Sequence, residues 1–308
     1  MGIRRLDVIV LENLTKTFGA MKAVDDLSLR VPEGSVYGFI GPNGSGKTTT
    51  LRMIMNILYP DQGRIHLFGR PLEGACSDRI GYMPEERGLY RRMKVKDLLV
   101  FYGRLKNGRD VERQAMFWLD KFGLTAYAHK KLVTLSKGMS QKVQFIATVV
   151  AQPEIIILDE PFSGLDPVNA EVLKDAVLDL QSRGTTVIFS THDMHVAEKM
   201  CDFIFMIFKG KKVLDGTLQA IQDAYSDDTI RIRTEKGVSA LEGLSGIERI
   251  NDFGQLQEVK ISPEGDAQKV LGHVLARTRV LSFELTRPSL QDIFVRIAGA
   301  ETQGGNDA

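Results

Sequence analysis

A glycine-rich segment, residues 41–48, constrains the fold of this chain more than any other part of its sequence. It reads Gly-Pro-Asn-Gly-Ser-Gly-Lys-Thr and matches the pattern GxxxxGKT. An apolar run at residues 35–40 precedes it, and the apolar residues of segment 49–58 recur at helical spacing. A strand that leads through a short loop into a helix is the repeating unit of folds with parallel sheets. We therefore predict an α/β fold in which this segment is the connecting loop.

The same segment has the chemistry of a phosphate-binding loop. Its glycines allow backbone N–H groups to approach phosphate oxygens, and the N-terminus of the following helix adds a favourable partial charge. Lys47 supplies a positive charge for the β- and γ-phosphates, and the Thr48 hydroxyl is a candidate Mg²⁺ ligand. An ordinary glycine turn is the structural alternative. We predict Mg-ATP binding by the following residues: Gly41, Pro42, Asn43, Gly44, Ser45, Gly46, Lys47, Thr48 and Thr49.

A second apolar run, residues 155–158, ends in two carboxylates, Asp159 and Glu160. Carboxylates at the carboxyl end of a parallel strand lie where ligands bind in such sheets. Asp159 is a candidate ligand of Mg²⁺, through water, and Glu160 is a candidate general base that polarises an attacking water. The alternative is a buried strand that ends in a solvated acidic turn.

Further segments occur in an order that resembles the ABC ATPases, and the resemblance covers residues 8–216. The matching segments are residues 81–85 at the Q-loop, 134–141 at the LSGGQ signature, 163–166 at the D-loop and 190–193 at the switch histidine. This resemblance implies a P-loop NTPase fold of ABC type. Such a fold has a helical subdomain, here about residues 90–152, and an antiparallel β subdomain.

The resemblance also implies roles for single residues. Ser136 and Gly138 would contact a γ-phosphate held by the loop of a second copy in a head-to-tail dimer, although Ser136 also suits a simple helix N-cap. His192 would hydrogen-bond the γ-phosphate and orient Glu160. Phe18 would stack on adenine, although an aromatic residue that ends a strand is often a core residue.

Three positions depart from the pattern of the family. Lys137 and Met139 stand where the commonest signature has Gly and Gln, but the expected phosphate contacts come from other residues. Glu85 replaces the usual Gln of the Q-loop, so a metal ligand there would bring a negative charge close to the γ-phosphate. We interpret Glu85 as a candidate metal ligand and a subfamily variation; loss of activity is the alternative.

A change of pattern near the acidic run at residues 225–228 predicts a second domain. We expect an ABC ATPase domain at 1–225, a small α+β accessory domain at 226–300 and a disordered tail at 301–308. Within the accessory domain, the expected strands are residues 229–233 and 256–261, and the expected helices are residues 267–277 and 289–298.

Composition limits the partners and the compartment. The 308 residues carry a net charge of +1, which favours neither nucleic acid nor an anionic membrane surface as a partner. Cys76 and Cys201 form no CxxC pair, so neither a zinc site nor a disulfide framework is predicted. No apolar run approaches the roughly 18 residues of a membrane span. We expect a cytoplasmic protein that is attached peripherally to the inner face of the cell membrane.

The resemblance implies the ATP-binding and ATP-hydrolysing subunit of an ABC transporter. Two copies would close over ATP and drive a separate transmembrane permease, which the basic residues of segment 91–96 would contact unless they form only a solvated face. Glu85 and segment 288–294 resemble bacterial sodium-, drug- or antibiotic-export ATPases, so we expect an exporter. The alternatives are an ABC ATPase of the translation-factor or DNA-repair type, and a regulatory nucleotide sensor.

Overall fold

The computed structural model describes residues 6–74, 78–86, 88–225, 229–262 and 265–303. Cys76, the predicted boundary residues 226–228 and the tail residues 304–308 lie outside this description. The chain divides into two compact units, Met1–Leu218 and Gln219–Ala308. The division falls earlier than the expected residue 225, because Gln222 belongs to the second unit and donates a hydrogen bond to the Pro288 carbonyl there.

In the described part of the first unit, the strands in chain order are β1 (Asp7–Phe18), β2 (Met21–Pro32), β3 (Val36–Ile40), β4 (Gln62–Leu67), β5 (Arg70–Pro71), β6 (Ile80–Met83), β7 (Ile155–Asp159), β8 (Thr186–Thr191), β9 (Phe203–Phe208) and β10 (Lys211–Gly216). The α-helices in the described part of this unit are α1 (Lys47–Ile54), α2 (Val95–Leu105), α3 (Val111–Lys121), α4 (Lys137–Val149), α5 (Pro167–Ser182) and α6 (Met194–Met200). Helix α7 (Leu218–Tyr225) begins at the last residue of this unit and continues into the second.

A six-stranded sheet of order β10-β9-β3-β8-β7-β6 forms the centre of the first unit. Strands β6, β7, β8, β3 and β9 are parallel, and β10 pairs antiparallel with β9. Every residue of β3, β7 and β8 is buried, as expected for parallel strands that are covered on both faces. The registers Ile40↔Thr191 and Asp159↔Ser190 bring the carboxyl ends of these three strands to the same edge.

The central sheet lies between two layers. An antiparallel sheet of order β2-β1-β4-β5 shares one apolar core with it, and helices α2, α3 and α4 share the other. The rings of Trp118, Phe122 and Phe145 meet within the helical layer at centroid distances of 5.6 to 6.0 Å. The predicted α/β fold, with its helical and antiparallel β subdomains, is confirmed.

Helix α1 differs from the expected segment 49–58 at both ends. It begins at Lys47, directly after Gly46, and ends at Ile54. Asn56 has a φ of 54°, a left-handed conformation that does not continue an α-helix. The apolar residues beyond Ile54 therefore follow the helical period of the sequence without being part of the helix.

The second unit contains β11 (Thr229–Thr234), β12 (Ile247–Asp252), β13 (Gln257–Ile261) and β14 (Val280–Thr286), with helices α8 (Ala267–Leu275) and α9 (Leu290–Gln303). The strands form an antiparallel sheet of order β12-β13-β11-β14, and α8 packs on its apolar face. Helix α9 extends to Gln303, so residues 301–303 are helical where we expected a disordered tail. The Ser289 Oγ accepts a hydrogen bond from the Asp292 N–H at 3.2 Å, as an N-cap does.

Candidate functional site

Two glycines of the loop between β3 and α1 occupy positions that exclude a side chain. A Cβ atom at Gly46 would lie 2.4 Å from the Ala23 carbonyl oxygen, and Gly46 has a φ of 112°. A Cβ at Gly41 would lie 2.2 Å from the Ile207 carbonyl oxygen. Both residues must therefore be glycine for the loop to pack against its neighbours, which explains why the pattern in the sequence is so strict.

Lys47 is held inside this loop. Its ammonium donates hydrogen bonds to the carbonyls of Gly41 at 2.7 Å and Pro42 at 3.1 Å, and lies 3.8 Å from the Glu160 carboxylate. Burial lowers the pKa of Lys47 from its ordinary value, and the Glu160, Asp159 and Glu85 carboxylates oppose that effect. The side chain is thus a desolvated cation directed toward the carboxylates that follow β7.

A cavity of about 450 Å³ lies over the loop, within the ~300–1,000 Å³ typical of small-molecule sites. Its described lining brings together residues from distant parts of the sequence: Phe18, Met21, Ala23, Asn43, Gly44, Gly46, Lys47, Thr48, Thr49, Glu85 and Glu160. The Phe18 side chain is 46% exposed, which argues against the alternative that it is a core residue. Its ring is therefore available to a ligand in the cavity.

Asp159 ends β7 in a buried position beside the loop. Its Oδ1 accepts hydrogen bonds from the Thr48 hydroxyl at 3.2 Å and from the Ser190 hydroxyl. Its Oδ2 is buried and has no hydrogen-bond partner among the described residues. A buried carboxylate oxygen without a partner is costly unless a cation or water completes it. A hydroxyl and a carboxylate beside a phosphate-binding loop are the oxygen ligands that Mg²⁺ takes, so these residues fit that ion.

Glu160 follows in a strained conformation. Its φ is 49°, which is unfavourable for a residue other than glycine, and its N–H donates to the Ser190 hydroxyl at 3.0 Å. Both carboxylate oxygens lie 3.0 Å from Nδ1 of His192, whose side chain is 53% exposed. The backbone thus directs a nearly buried carboxylate toward Lys47 and His192, where it can accept a proton from water.

Sequence reasoning gave no role to three polar residues of this region. Ser190 bridges Asp159 and Glu160, although it belongs to a segment that the pattern did identify. Gln141 and Gln144 are buried in α4 and donate to backbone carbonyls beside the predicted site. A buried glutamine inside a helix has no signal in the sequence, because its burial depends on what packs against that helix.

Ser136 and Gly138 lie apart from the cavity, whose described lining includes neither of them. Ser136 is exposed at the start of α4, where its Oγ accepts a hydrogen bond from the Met139 N–H at 3.2 Å. The predicted N-cap geometry is therefore present. A Cβ at Gly138 would meet no atom closer than 3.7 Å, so the chain itself leaves room at this residue.

The described residues contain no helix that is both long and apolar enough to cross a bilayer. They also contain no cluster of three or more His, Cys, Asp or Glu side chains that could hold a metal ion. Magnesium does not require such a cluster, because it commonly binds one or two protein ligands together with phosphate and water oxygens.

Comparison with known protein families identifies both units. The family model for ABC transporters matches residues 24–163, and the model for the C-terminal domain of DrrA1-3-like ATP-binding proteins matches residues 216–298. A dimeric ATP-binding cassette solved in a post-hydrolysis state with ADP and Pi is 25% identical, with a TM-score of 0.63; the match covers 68% of this chain and 98% of that one.

Relatives extend the similarity to nearly the whole chain. The uncharacterized ABC transporter ATP-binding protein YhaQ of Bacillus subtilis is 41% identical over 295 residues, which cover 95% of this chain and 99% of that protein. The daunorubicin/doxorubicin resistance ATP-binding protein DrrA of Streptomyces peucetius is 32% identical, covering 97% of this chain and 94% of that protein. The chain therefore belongs to the family of ABC transporter ATP-binding proteins and is an ATP hydrolase of that family.

Proposed function

We propose that this chain is the ATPase subunit of a drug- or antibiotic-export transporter, in which two copies close head-to-tail over Mg-ATP and drive a separate transmembrane permease. The observation that carries the hydrolytic part of this proposal is the nearly buried carboxylate of Glu160, which lines the cavity 3.0 Å from His192 Nδ1 and 3.8 Å from Lys47 Nζ. An inert nucleotide sensor would have no need of a strained, desolvated carboxylate at that point.

In the proposed reaction Glu160 accepts a proton from a water molecule. The water oxygen forms a bond to the γ-phosphorus while the bond from that phosphorus to the ADP oxygen breaks. Lys47 neutralises charge on the β- and γ-phosphates, and His192 orients Glu160 and donates a hydrogen bond to the γ-phosphate. Phe18 stacks on the adenine ring, and the loop of residues 41–49 binds the phosphates through the backbone N–H groups of its residues other than Pro42.

Thr48, Asp159 and Glu85 would hold Mg²⁺ in this proposal. The partnerless Oδ2 of Asp159 and the Thr48 hydroxyl support the first two, and the location of Glu85 on the cavity wall supports the third. When bound, the ion neutralises charge on the phosphate oxygens.

A dimeric site is supported by Ser136 and Gly138, which do not line the nucleotide cavity of their own chain. Ser136 and Gly138 are at the N-terminus of α4, where N–H groups and the helix dipole favour an anion, yet the described lining of the cavity does not include them. We propose that they contact the γ-phosphate bound by the loop of a second copy. The dimeric cassette with ADP and Pi is a relative in which two copies associate.

Export is supported by the relatives. One is named as a daunorubicin/doxorubicin resistance protein and others as Nod factor export proteins, and the second unit matches the C-terminal domain of the DrrA-like proteins. The proposed location is the inner face of the cell membrane, where the basic residues of segment 91–96 contact the permease.

The substitution Glu160→Gln tests the proposed mechanism. An amide cannot accept the proton, so we expect the ATPase rate to fall at least ~100-fold while Mg-ATP still binds. Trapped nucleotide should also make the variant dimeric, which light scattering with and without ATP measures. Hydrolysis at the wild-type rate would exclude Glu160 as the base, and a variant that stays monomeric with ATP would exclude the closed dimer.

The proposed permease is tested separately, by affinity capture of the tagged chain from detergent-solubilised membranes of its own host. We expect one polytopic membrane protein in stoichiometric amount. Charge reversal at Arg91 and Arg92, which lie outside the described lining of the nucleotide cavity, should abolish the capture and leave the ATPase rate of the isolated chain unchanged. Capture of ribosomal or DNA-repair proteins in its place would refute the transport role.

A further inference from the structure

Two glutamines lie one turn apart on the buried face of α4, the helix that Ser136 caps. Gln141 and Gln144 are each 4% exposed. The side-chain amide of Gln141 donates to the Pro161 carbonyl at 2.5 Å, directly after Glu160. The side-chain amide of Gln144 donates to the carbonyls of Pro84 at 2.8 Å and Glu86 at 3.3 Å. Gln141 thus binds the backbone next to Glu160, and Gln144 binds the backbone on both sides of Glu85.

The two carbonyls that Gln144 contacts are on either side of Glu85. Glu85 is exposed, and its side chain lines the nucleotide cavity. Its segment leaves β6 at Met83 and forms no strand or helix at residues 84–86. A short irregular segment has few restraints of its own, so a buried amide that binds it on both sides of one residue fixes where that residue lies.

We propose that Gln144 is a positioning residue, which holds Glu85 against the cavity and ties its location to helix α4. This inference rests on the proposed role of Glu85 as a metal ligand. It goes beyond that role because it assigns a function to a residue outside the cavity.

The substitution Gln144→Met tests this inference, since methionine keeps the length and volume of the side chain but cannot donate. We expect the Mg²⁺ concentration for half-maximal ATPase activity to rise about tenfold, because a misplaced ligand binds the ion more weakly. The dissociation constant for ATP without Mg²⁺ should stay unchanged. The matched control is Gln181→Met, which removes a similar bond, at 3.0 Å to the Gly34 carbonyl, outside the described lining of the cavity.

A double-mutant cycle separates positioning from general destabilisation. If Gln144 acts through Glu85, Gln144→Met should change the Mg²⁺ requirement little further in a chain that already carries Glu85→Ala. Equal effects of Gln144→Met in both backgrounds would overturn the inference. The inference would also be overturned if Glu85→Ala raised the Mg²⁺ requirement while a folded Gln144→Met variant left it unchanged.

Backbone mobility keeps this test independent of the metal role. We expect the ¹⁵N order parameters of the Glu85 and Glu86 amides to fall from the ~0.85 of rigid backbone toward ~0.6 in Gln144→Met, and to stay at their wild-type values in Gln181→Met. If Glu85→Ala leaves the Mg²⁺ requirement unchanged, the proposed metal role fails, and lower order parameters then still support Gln144 as the anchor of this segment. Unchanged order parameters at both amides refute the anchor whatever the role of Glu85.

Discussion

The two halves of the proposed site differ in how far they are buried. The loop half consists of Phe18, residues 41–49, Glu85, Asp159, Glu160 and His192, and the signature half consists of Ser136 and Gly138. In the loop half, Lys47, Asp159 and Glu160 are 5%, 1% and 9% exposed, and hydrogen bonds or ion pairs join them to one another or to their neighbours. In the signature half, Ser136 is exposed at a helix N-terminus, where its side chain caps its own helix. The charged centre of the loop half is therefore buried within one chain, whereas Ser136 of the signature half lies at the surface.

This difference separates binding from hydrolysis. A buried, paired set of charges is already arranged for a nucleotide, so the loop half should bind Mg-ATP within a single chain. An exposed helix N-terminus contributes to the reaction only when a phosphate is brought to it, which in our proposal requires a second copy. ATP should therefore bind even at protein concentrations at which the chain is monomeric, whereas the turnover rate per chain should fall on dilution.

The substitution Ser136→Ala should have the largest effect on the signature half. We expect kcat to fall about 100-fold, the usual effect of removing one donor to a charge that develops in the transition state. ATP binding to the monomer should be unchanged, because the loop half is intact. Steady-state kinetics and equilibrium titration with ATP measure the two effects on the same preparation.

Ser136→Ala also removes an N-cap, which alone costs about 1 kcal/mol of stability. Ser289→Ala is the matched control, since the Ser289 Oγ accepts from the Asp292 N–H at 3.2 Å, the distance found between Ser136 and Met139. Both variants should unfold at slightly lower temperature, and only Ser136→Ala should lose activity. Equal loss of activity in both would mean that the signature serine acts only as a cap.

The sequence predicted the residues of the loop half better than the hydrogen bonds that hold them, such as the bond from Glu160 N–H to Ser190. Residues 41–48 and the strand at 155–158 carry strong local patterns, because steric limits and full burial restrict which residues can occupy them. Strands β2, β12 and β14 were missed because they are partly exposed and mix apolar with polar residues. The left-handed conformation of Glu160 depends on a bond to β8, which no local pattern encodes.

The roles of the predicted site residues stay predictions, but the structure limits which of them act together. It brings Phe18, Glu85 and Glu160 to one cavity, although they are distant in sequence. It adds Ser190, which the pattern had identified only as a neighbour of His192. A bridging hydroxyl of this kind is invisible in the sequence, because a serine near the end of a buried strand gives no sign of which neighbouring strand it contacts.

Ser190→Ala tests the contacts that support Asp159 and Glu160 in the loop half, and it should have a smaller effect than Ser136→Ala. It leaves the Glu160 N–H without its acceptor and removes a donor from Asp159. We expect kcat to fall about tenfold and the free energy of unfolding to fall by about 1–3 kcal/mol, the cost of an unsatisfied buried group. Initial rates at saturating Mg-ATP and denaturant unfolding measure the two quantities.

Ser35→Ala is the control for Ser190→Ala. Ser35 is equally buried, and its hydroxyl donates to the Pro32 carbonyl at 2.6 Å just before β3 begins. It should lower stability by a similar amount and leave kcat unchanged. If Ser190→Ala likewise affected only stability, Ser190 would have no part in orienting Glu160.

The smallest effect is expected at Phe18, an exposed residue among the predicted contacts of the loop half. Its ring is 46% exposed and has Lys16 Nζ 5.7 Å from its centroid, so little of the fold depends on it. Phe18→Ala should raise KM for ATP about fivefold or more, since stacking on one base contributes ~1–3 kcal/mol, and should leave kcat and thermal stability unchanged.

Two control variants accompany this measurement. Phe18→Trp should restore KM. Tyr59→Ala removes a 70%-exposed ring outside the described lining of the cavity, and it should change neither KM nor kcat. An unaltered KM in Phe18→Ala would exclude adenine stacking and leave the phosphates as the main determinant of ATP affinity in the loop half.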